Sequence, residues 1–440
     1  MNLLRSYWLA IFWSTLFVPY CAALNILDAY VLALDNDPTF HAALKANEAG
    51  QEYLAIGRAA LLPKVNYSYN KGHNDSEVTT FTTTTRKYKS YTSTFSLQQP
   101  LFDYAAWAEY RQGATRALMS DEIFRDKSQD LAIRLFAAYS EALLSEQVIL
   151  LSKAQQHAYQ EQLQLNRKLY KEGEGTRTDI LETEARLQLA IAEYIEAQDN
   201  LDAALRELQT IIGTAISINQ LTPLKASFVV LPLKPTKFEV WRDKTVAYNA
   251  NLKAQRYAVD VADYELKKKL ANHLPTVNFY ANNRKSSSDS DSTYNQKYNT
   301  KTVGIQLSMP LFAGGGNLAA SRQASKQKAQ AQYELDDKVS ATVKELRKQF
   351  NLINSSKARI QAFDLAVKSA STLVTATKKS VQAGERVNLD VLNAEQQFFS
   401  AKKNLADAQH AYLRAWLTLR YLSGQLGEEN LQELASYFFE

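Results

Sequence analysis

Gly173-Glu174-Gly175-Thr176-Arg177-Thr178-Asp179-Ile180-Leu181-Glu182-Thr183-Glu184 returns 211 positions later as Gly384-Glu385-Arg386-Val387-Asn388-Leu389-Asp390-Val391-Leu392-Asn393-Ala394-Glu395. Two further landmarks repeat at nearly the same distance and in the same order. Leu62-Pro63-Lys64-Val65-Asn66-Tyr67 is matched by Leu274-Pro275-Thr276-Val277-Asn278-Phe279, and Pro100-Leu101-Phe102 by Pro310-Leu311-Phe312. A duplication of this period means that one structural unit is used twice, and that function belongs to an assembled surface more than to a single pocket.

Helical and strand periods alternate within each copy. Leu27, Tyr30, Val31 and Leu34 recur at helical spacing, and the segment 25–61 reads as one helix closed by Pro63. Val65, Tyr67 and Tyr69 then alternate with Asn66, Ser68 and Asn70, which predicts a two-faced strand. Residues 71–90 read as an exposed Thr- and Ser-rich loop, after which Phe95 and Leu97 resume the alternation. From Asp103 to about Tyr170 the chain has no proline and one glycine, Gly113, so a single helix of about 100 Å is expected. A second helix begins near Thr178 and carries Ile180, Leu187, Tyr194, Leu201 and Leu208, each seven apart. That repeat predicts helices packed as coiled coils. The second copy repeats the scheme, with a helix over 240–272, strands around Val277-Phe279 and Val303-Ile305-Leu307, a polar loop at 286–301, a long helix, and a last helix striped by Val391, Phe398, Leu405, Tyr412 and Leu419. The expected division is 1–23 as an export signal, 24–212 as the first repeat, 213–239 as a proline-containing linker, 240–423 as the second repeat, and 424–440 as an irregular tail.

Composition narrows the function. Arg5, the apolar run Trp8 to Val18 and Cys21-Ala22-Ala23 have the pattern of a cleaved secretory signal. Cleavage there removes the only cysteine, so disulfides and cysteine-based metal or redox chemistry are not expected. No later stretch reads as a transmembrane helix. The net charge of +5 gives no nucleic-acid footprint. His41, His73, His157, His273 and His410 lack metal-ligand spacing, and Gly314-Gly315-Gly316 lacks the Lys-Ser/Thr of a phosphate loop. The chain is not expected to be an enzyme or to need a cofactor.

The strand count then points to assembly. Four strands per chain are too few to close a membrane barrel, and lipid does not tolerate open sheet edges. Three chains would pool about twelve strands. Val65, Tyr67, Phe95, Leu97, Val277, Phe279, Val303 and Ile305 would then face lipid. A soluble sheet capped by helices, in a periplasmic coiled-coil scaffold with no pore, is the alternative from another class.

Gln99-Pro100-Leu101-Phe102-Asp103-Tyr104-Ala105-Ala106-Trp107-Ala108, Pro310-Leu311-Phe312-Ala313-Gly314-Gly315, both Leu-Pro strand entries and both Gly-x5-Asp turns resemble the TolC family of outer-membrane efflux and secretion proteins. Gly173-Glu174-Gly175-Thr176 and Asn388-Leu389-Asp390-Val391-Leu392 look most like its type I secretion branch, which exports metalloproteases and related toxin-repeat proteins. The resemblance covers the mature chain. It implies a mostly α fold with a membrane β-barrel: a homotrimer with a shared 12-strand barrel in outer-membrane lipid, a twelve-helix periplasmic tunnel, and an equatorial belt built from linker and tail. It also implies a periplasmic adaptor and an inner-membrane ABC transporter as partners, with a small-molecule efflux duct as the alternative of the same architecture.

In the family the tip turns, here Gly173 and Gly384, carry the gate. By motif match Asp390 supplies an aspartate ring, and Asn393 occupies the place of a second aspartate. Arg386 matches a latch arginine that pairs with Thr178-Asp179, while Val381 stands where a latch tyrosine is usual. Without the resemblance, Asp179 and Asp390 read as carboxylates offsetting a helix dipole, and the glycines as plain turn residues.

Overall fold

The computed structural model describes residues 24–290 and 296–438. The expected export signal at 1–23 lies outside the described residues. The first copy runs α1 (Ile26–Asn36), α2 (Pro38–Ala59), β1 (Lys64–Thr79), β2 (Thr83–Phe102), α3 (Tyr104–Glu172) and α4 (Arg177–Ile212). The second runs α5 (Phe238–Tyr248), α6 (Ala250–Ala271), β3 (Thr276–Ser288), β4 (Gln296–Ser308), α7 (Gly316–Gln382) and α8 (Asn388–Leu422), followed by α9 (Glu428–Ala435). The fold is therefore mostly helical, with one four-stranded antiparallel sheet in the order β1-β2-β3-β4. At 69 and 67 residues, α3 and α7 are each about 100 Å long. Below the sheet the helices lie side by side as α2, α3, α6 and α7, and α3–α4 and α7–α8 continue as antiparallel pairs.

Two expected single helices are each two. The chain breaks at Asp37, whose carboxylate accepts the Phe40 N–H at 2.9 Å and caps α2, with Pro38 in the first turn. Proline lacks an N–H and fixes φ, so it fits there and nowhere deeper. Asp37 is 2% exposed, and its charge is met by Arg134 Nη2 at 2.6 Å. The second copy breaks at Asn249, which caps α6 through the Leu252 N–H at 3.0 Å and donates Nδ2 to the Leu422 carbonyl at 3.0 Å. The segment 71–90 is also no loop. β1 and β2 pair continuously from Lys64–Gln98 to Thr79–Thr83, with the turn at 80–82. Threonine is β-branched and fits a pleated surface, so a polar Thr-rich run makes a good ribbon. Likewise β3 and β4 extend into the expected 286–301 loop, as far as Ser288 and from Gln296.

The coiled-coil period is present, but the most buried seam of α4 lies three positions on from the large residues. Thr183, Ala190, Ala197, Ala204 and Ile211 are buried, while Ile180, Leu187, Tyr194 and Leu201 are half-buried in the single chain. Small side chains let α4 approach α3 closely, and Ala394, Ala408 and Ala415 repeat the pattern on α8. One stretch of α3 does reach a mean hydropathy of 1.2 over 18 residues, which corrects the reading that none would. That window is 56% buried within the chain, so its apolarity serves packing.

The tail and linker are ordered and share one core. α9 replaces the expected irregular tail, burying Leu431, Leu434 and then Phe438, whose ring meets those of Phe136 and Tyr139 edge-on. Leu221, Leu224 and Leu233 of the linker pack into the same cluster with Tyr412 and Trp416. The buried Tyr139 hydroxyl accepts the Thr222 N–H at 2.8 Å and lies 3.0 Å from the Leu24 carbonyl. This core therefore fastens linker, tail and Leu24 around the middle of α3 and the C-terminal part of α8.

His410 of α8 lies beside this core with no exposed surface, its Nδ1 2.9 Å from Ser140 Oγ. Burial, and then the Arg414 charge, push its pKa from 6.5 down to about 4. The unfolded chain takes up this proton near pH 6.5 and the folded chain only near pH 4. The neutral-imidazole contribution is therefore full above pH 6.5 and is lost as pH falls toward 4, by about 3 kcal/mol. Melting curves between pH 7 and 4 should show this slope in the parent and lose most of it in His410→Gln; equal slopes would rule the assignment out.

Candidate functional site

The sheet carries the first part of the site. Residues directly opposed in an antiparallel pair share a face. Val65, Leu97, Ala281 and Val303 form one such row, Tyr67 faces Phe95, Phe279 faces Ile305, and Val277 faces Leu307. All eight residues expected to meet lipid thus lie on one face. Nothing among the described residues covers it: Tyr67, Val303, Ile305 and Leu307 are each between 67% and 70% exposed. The opposite face is polar, with Asn66, Ser96, Asn282 and Thr302 in one row. β1 and β4 have no second partner among the described residues.

The second part lies at the far end of the helical pairs. Gly173 has φ 82°, and the Glu174 N–H reaches the Leu169 carbonyl at 3.0 Å. Gly384 has φ 77°, and the Glu385 N–H reaches the Ser380 carbonyl at 2.9 Å. Both are left-handed closures in which glycine avoids a Cβ clash. The turns share a cleft of about 990 Å³ lined by Gln162, Thr178, Asp179, Gly384, Arg386 and Asn388, among others. The two halves of the expected latch therefore reach one cleft, but they are not bonded to each other within the chain. Asp179 closes a capping box, its Oδ2 accepting from Thr176 N at 3.1 Å and Thr176 Oγ1 at 2.6 Å. Arg386 has no ion pair among the described residues, and Thr178 is exposed. Asp390 sits in the first turn of α8, half-buried and away from the cleft lining. Asn393 accepts a hydrogen bond from Arg186 Nη2 of α4 at 3.2 Å, and Arg186 also bonds Gln396.

Sequence reasoning missed the contacts that join the copies here. Gln162 Nε2 donates to Asn166 Oδ1 at 3.1 Å and to Asn388 Oδ1 at 2.9 Å. Asn166 and Asn388 both donate to Thr183 Oγ1, at 2.8 and 3.1 Å, and Thr183 donates to the Asp179 carbonyl at 2.7 Å. All four side chains are buried, so α3, α4 and α8 meet through a satisfied polar node. Just above it, Lys378 of α7 meets the 3%-exposed Glu395 of α8 at 2.7 Å. Spacing alone did not single out the node, because Gln162 and Asn166 share their face of α3 with the polar Ser152 and Gln155.

An open-edged sheet with one face apolar over the end nearest the helices, set on helices of about 100 Å whose two copies meet at one tip, defines an outer-membrane channel protein. The comparisons agree. The sequence pattern of the outer membrane efflux protein family matches residues 29–214 and 241–425, and the chain belongs to that family. It is 51% identical over 421 residues to the alkaline protease secretion protein AprF of Pseudomonas aeruginosa, covering 94% of this chain and 88% of the relative. It is 46% identical to the proteases secretion protein PrtF of Dickeya chrysanthemi, covering 94% and 91%. The solved structure of VceC from Vibrio cholerae superposes with a TM-score of 0.76 at 17% identity, covering 91% of this chain and 96% of that one. The CmeC channel of Campylobacter jejuni gives 0.77 at 15% identity, covering 94% and 90%. The protein is an outer-membrane channel, not an enzyme, and its long helices extend into the periplasm.

Proposed function

We propose that this chain is the outer-membrane channel-tunnel of a type I secretion system and passes unfolded proteases or related toxin-repeat proteins out of the cell. The observation that carries the reading is its 51% identity, over 94% of its length, to a protein named for alkaline protease secretion. The architecture supplies the duct by trimerisation. β1 of one protomer pairs with β4 of the next, closing twelve strands, while the edge helices α2 and α7 close the tunnel wall in the same way. A periplasmic adaptor and an inner-membrane ABC transporter dock at the tip turns and open it. Deletion should abolish protease secretion and leave the protease cell-associated. Normal secretion with drug hypersensitivity would instead assign the chain to small-molecule efflux, and absence of conductance in planar bilayers would reduce it to a scaffold.

The tip geometry supports a gate at these turns. Arg386 lines the shared cleft without a partner among the described residues, which suits pairing with Thr178 and Asp179 of a neighbouring protomer. Arg386→Ala should therefore raise single-channel conductance severalfold, and an unchanged conductance would remove the latch. Asp390 supplies the carboxylate ring. With Asn393 uncharged and held by Arg186, a second ring is lacking, and divalent cations should block this channel weakly.

A further inference from the structure

The outward face of the sheet changes character along its length, away from the helices. On β4, Leu307, Ile305 and Val303 give way to Lys301 at the next outward position. That lysine closes the row of Tyr67 and Phe95. One row further, Lys285 stands on β3 between Ser93 and Asn299. In the next, Lys71 and Lys297 flank Tyr91 and Ser287. These three rows hold four lysines and no carboxylate on that face. None of the four makes an ion pair among the described residues, and all four are exposed. The first acid on this face of β1, Asp75, is already met by Lys87 at 3.5 Å.

We infer that this lysine belt binds the phosphates of an anionic glycolipid in the outer leaflet of the outer membrane. The inference rests on the barrel reading above, which turns this face to lipid. The helices leave the opposite end of the strands, so the belt lies at the outer, not the periplasmic, boundary of the apolar band. Two row steps cover about 14 Å along a strand, or about 10 Å across the membrane at barrel tilt. That is the depth of a headgroup layer and more than a single ion needs. Tyr67, Tyr69 and Tyr91 stand among the lysines, as amphipathic rings do at a membrane interface; the Tyr69 and Tyr91 rings are stacked with centroids 6.5 Å apart. Lysine is a strongly hydrated point charge that reaches phosphate on a flexible four-carbon stem. Three protomers would present the belt around the whole barrel.

Native mass spectrometry of the purified trimer, titrated with bisphosphorylated lipid A and with its dephosphorylated form, tests the idea. The parent should prefer the phosphorylated lipid. Each lysine near an anionic surface contributes roughly fivefold in affinity, so glutamine at all four positions should weaken binding by roughly 600-fold. Arginine at the same positions should retain it. Should the fourfold variant not assemble, Lys285→Gln with Lys301→Gln is the substitute, with a loss of about twentyfold expected. Equal binding of the two lipids, or full binding by an assembled glutamine variant, overturns the inference. Conductance separates the premises: a parent trimer that conducts but ignores phosphate sinks only the lysine belt, whereas one that does not conduct sinks the barrel reading as well.

Discussion

Replacing Lys378 with methionine should loosen the helical tip by about 3 kcal/mol, on the order of a hundredfold in local hydrogen-exchange protection. The Glu395 side chain is 3% exposed, and Lys378, 2.7 Å away, is its one partner among the described residues. Its second oxygen, Oε2, already lacks a hydrogen-bond partner. Removing the lysine leaves a buried carboxylate unmet, which costs far more than the pair itself contributes. The figure is set at the low end of that range because the lysine side chain is 44% exposed, so water screens part of the interaction. Adding Glu395→Gln to Lys378→Met should restore most of the protection. Exchange over 378–395 is the measurement, and unchanged rates in Lys378→Met would show that the pair holds nothing. The expected consequence for transport is a tip in which α7 and α8 separate more readily.

Gly113→Ala should destabilise the upper helical layer by about 2 kcal/mol, although alanine is the better helix former. A Cβ at Gly113 would fall inside the van der Waals surface of the Tyr53 carbonyl oxygen, because α3 crosses α2 backbone to backbone at Gly57. The contact is with backbone on both sides, so no side chain can swing away and the helices must part. Overpacking of about 3 kcal/mol is then offset by about 1 kcal/mol of helix propensity. Gly57→Ala offers the contrast: its Cβ would stand 3.0 Å from the Glu109 carbonyl and 3.1 Å from Tyr110 Cα, tight but open to a small shift. It should be nearly neutral. Thermal dissociation of the trimer reads both, and the ordering matters more than the magnitudes. Gly57→Ala costing as much as Gly113→Ala would mean the crossing yields as a whole.

Much of this architecture is local and therefore readable in the chain. Scarce proline and glycine fix the two long helices. A period of two marks Val65, Tyr67, Val277, Phe279, Val303 and Ile305 as one face of a sheet, and pairing register then puts them together. The glycines at 173 and 384 mark turns because few other residues accept positive φ. Errors gathered where polar residues do two jobs. Thr-rich stretches at 71–90 looked like loop because their side chains are hydrophilic, yet β-branching made them strand. Asp37 and Asn249 fall inside segments that read as single helices, yet each caps a new helix and is buried by a partner distant in sequence.

The candidate site divides in the same way. Arg386, Thr178 and Asp179 could be matched by motif, and the fold brings them to a common cleft. The node of Gln162, Asn166, Thr183 and Asn388, and the pair of Lys378 with Glu395, could not be found that way. They join residues from separate helices, and no spacing along one helix announces a partner on another.

What the sequence by itself determined is the duplicated plan: four two-faced strands, two helices of about 100 Å, two glycine turns, and the need for more than one chain to close a barrel. These follow from backbone period and from the counting of hydrogen-bonding edges, which are properties of segments. What only the tertiary structure decided is which polar groups meet in the dark between helices, where caps cut long runs in two, and how the linker and tail close into one belt. Those outcomes depend on desolvation: a buried amide or carboxylate is tolerated only where a partner from elsewhere in the fold arrives within hydrogen-bonding distance.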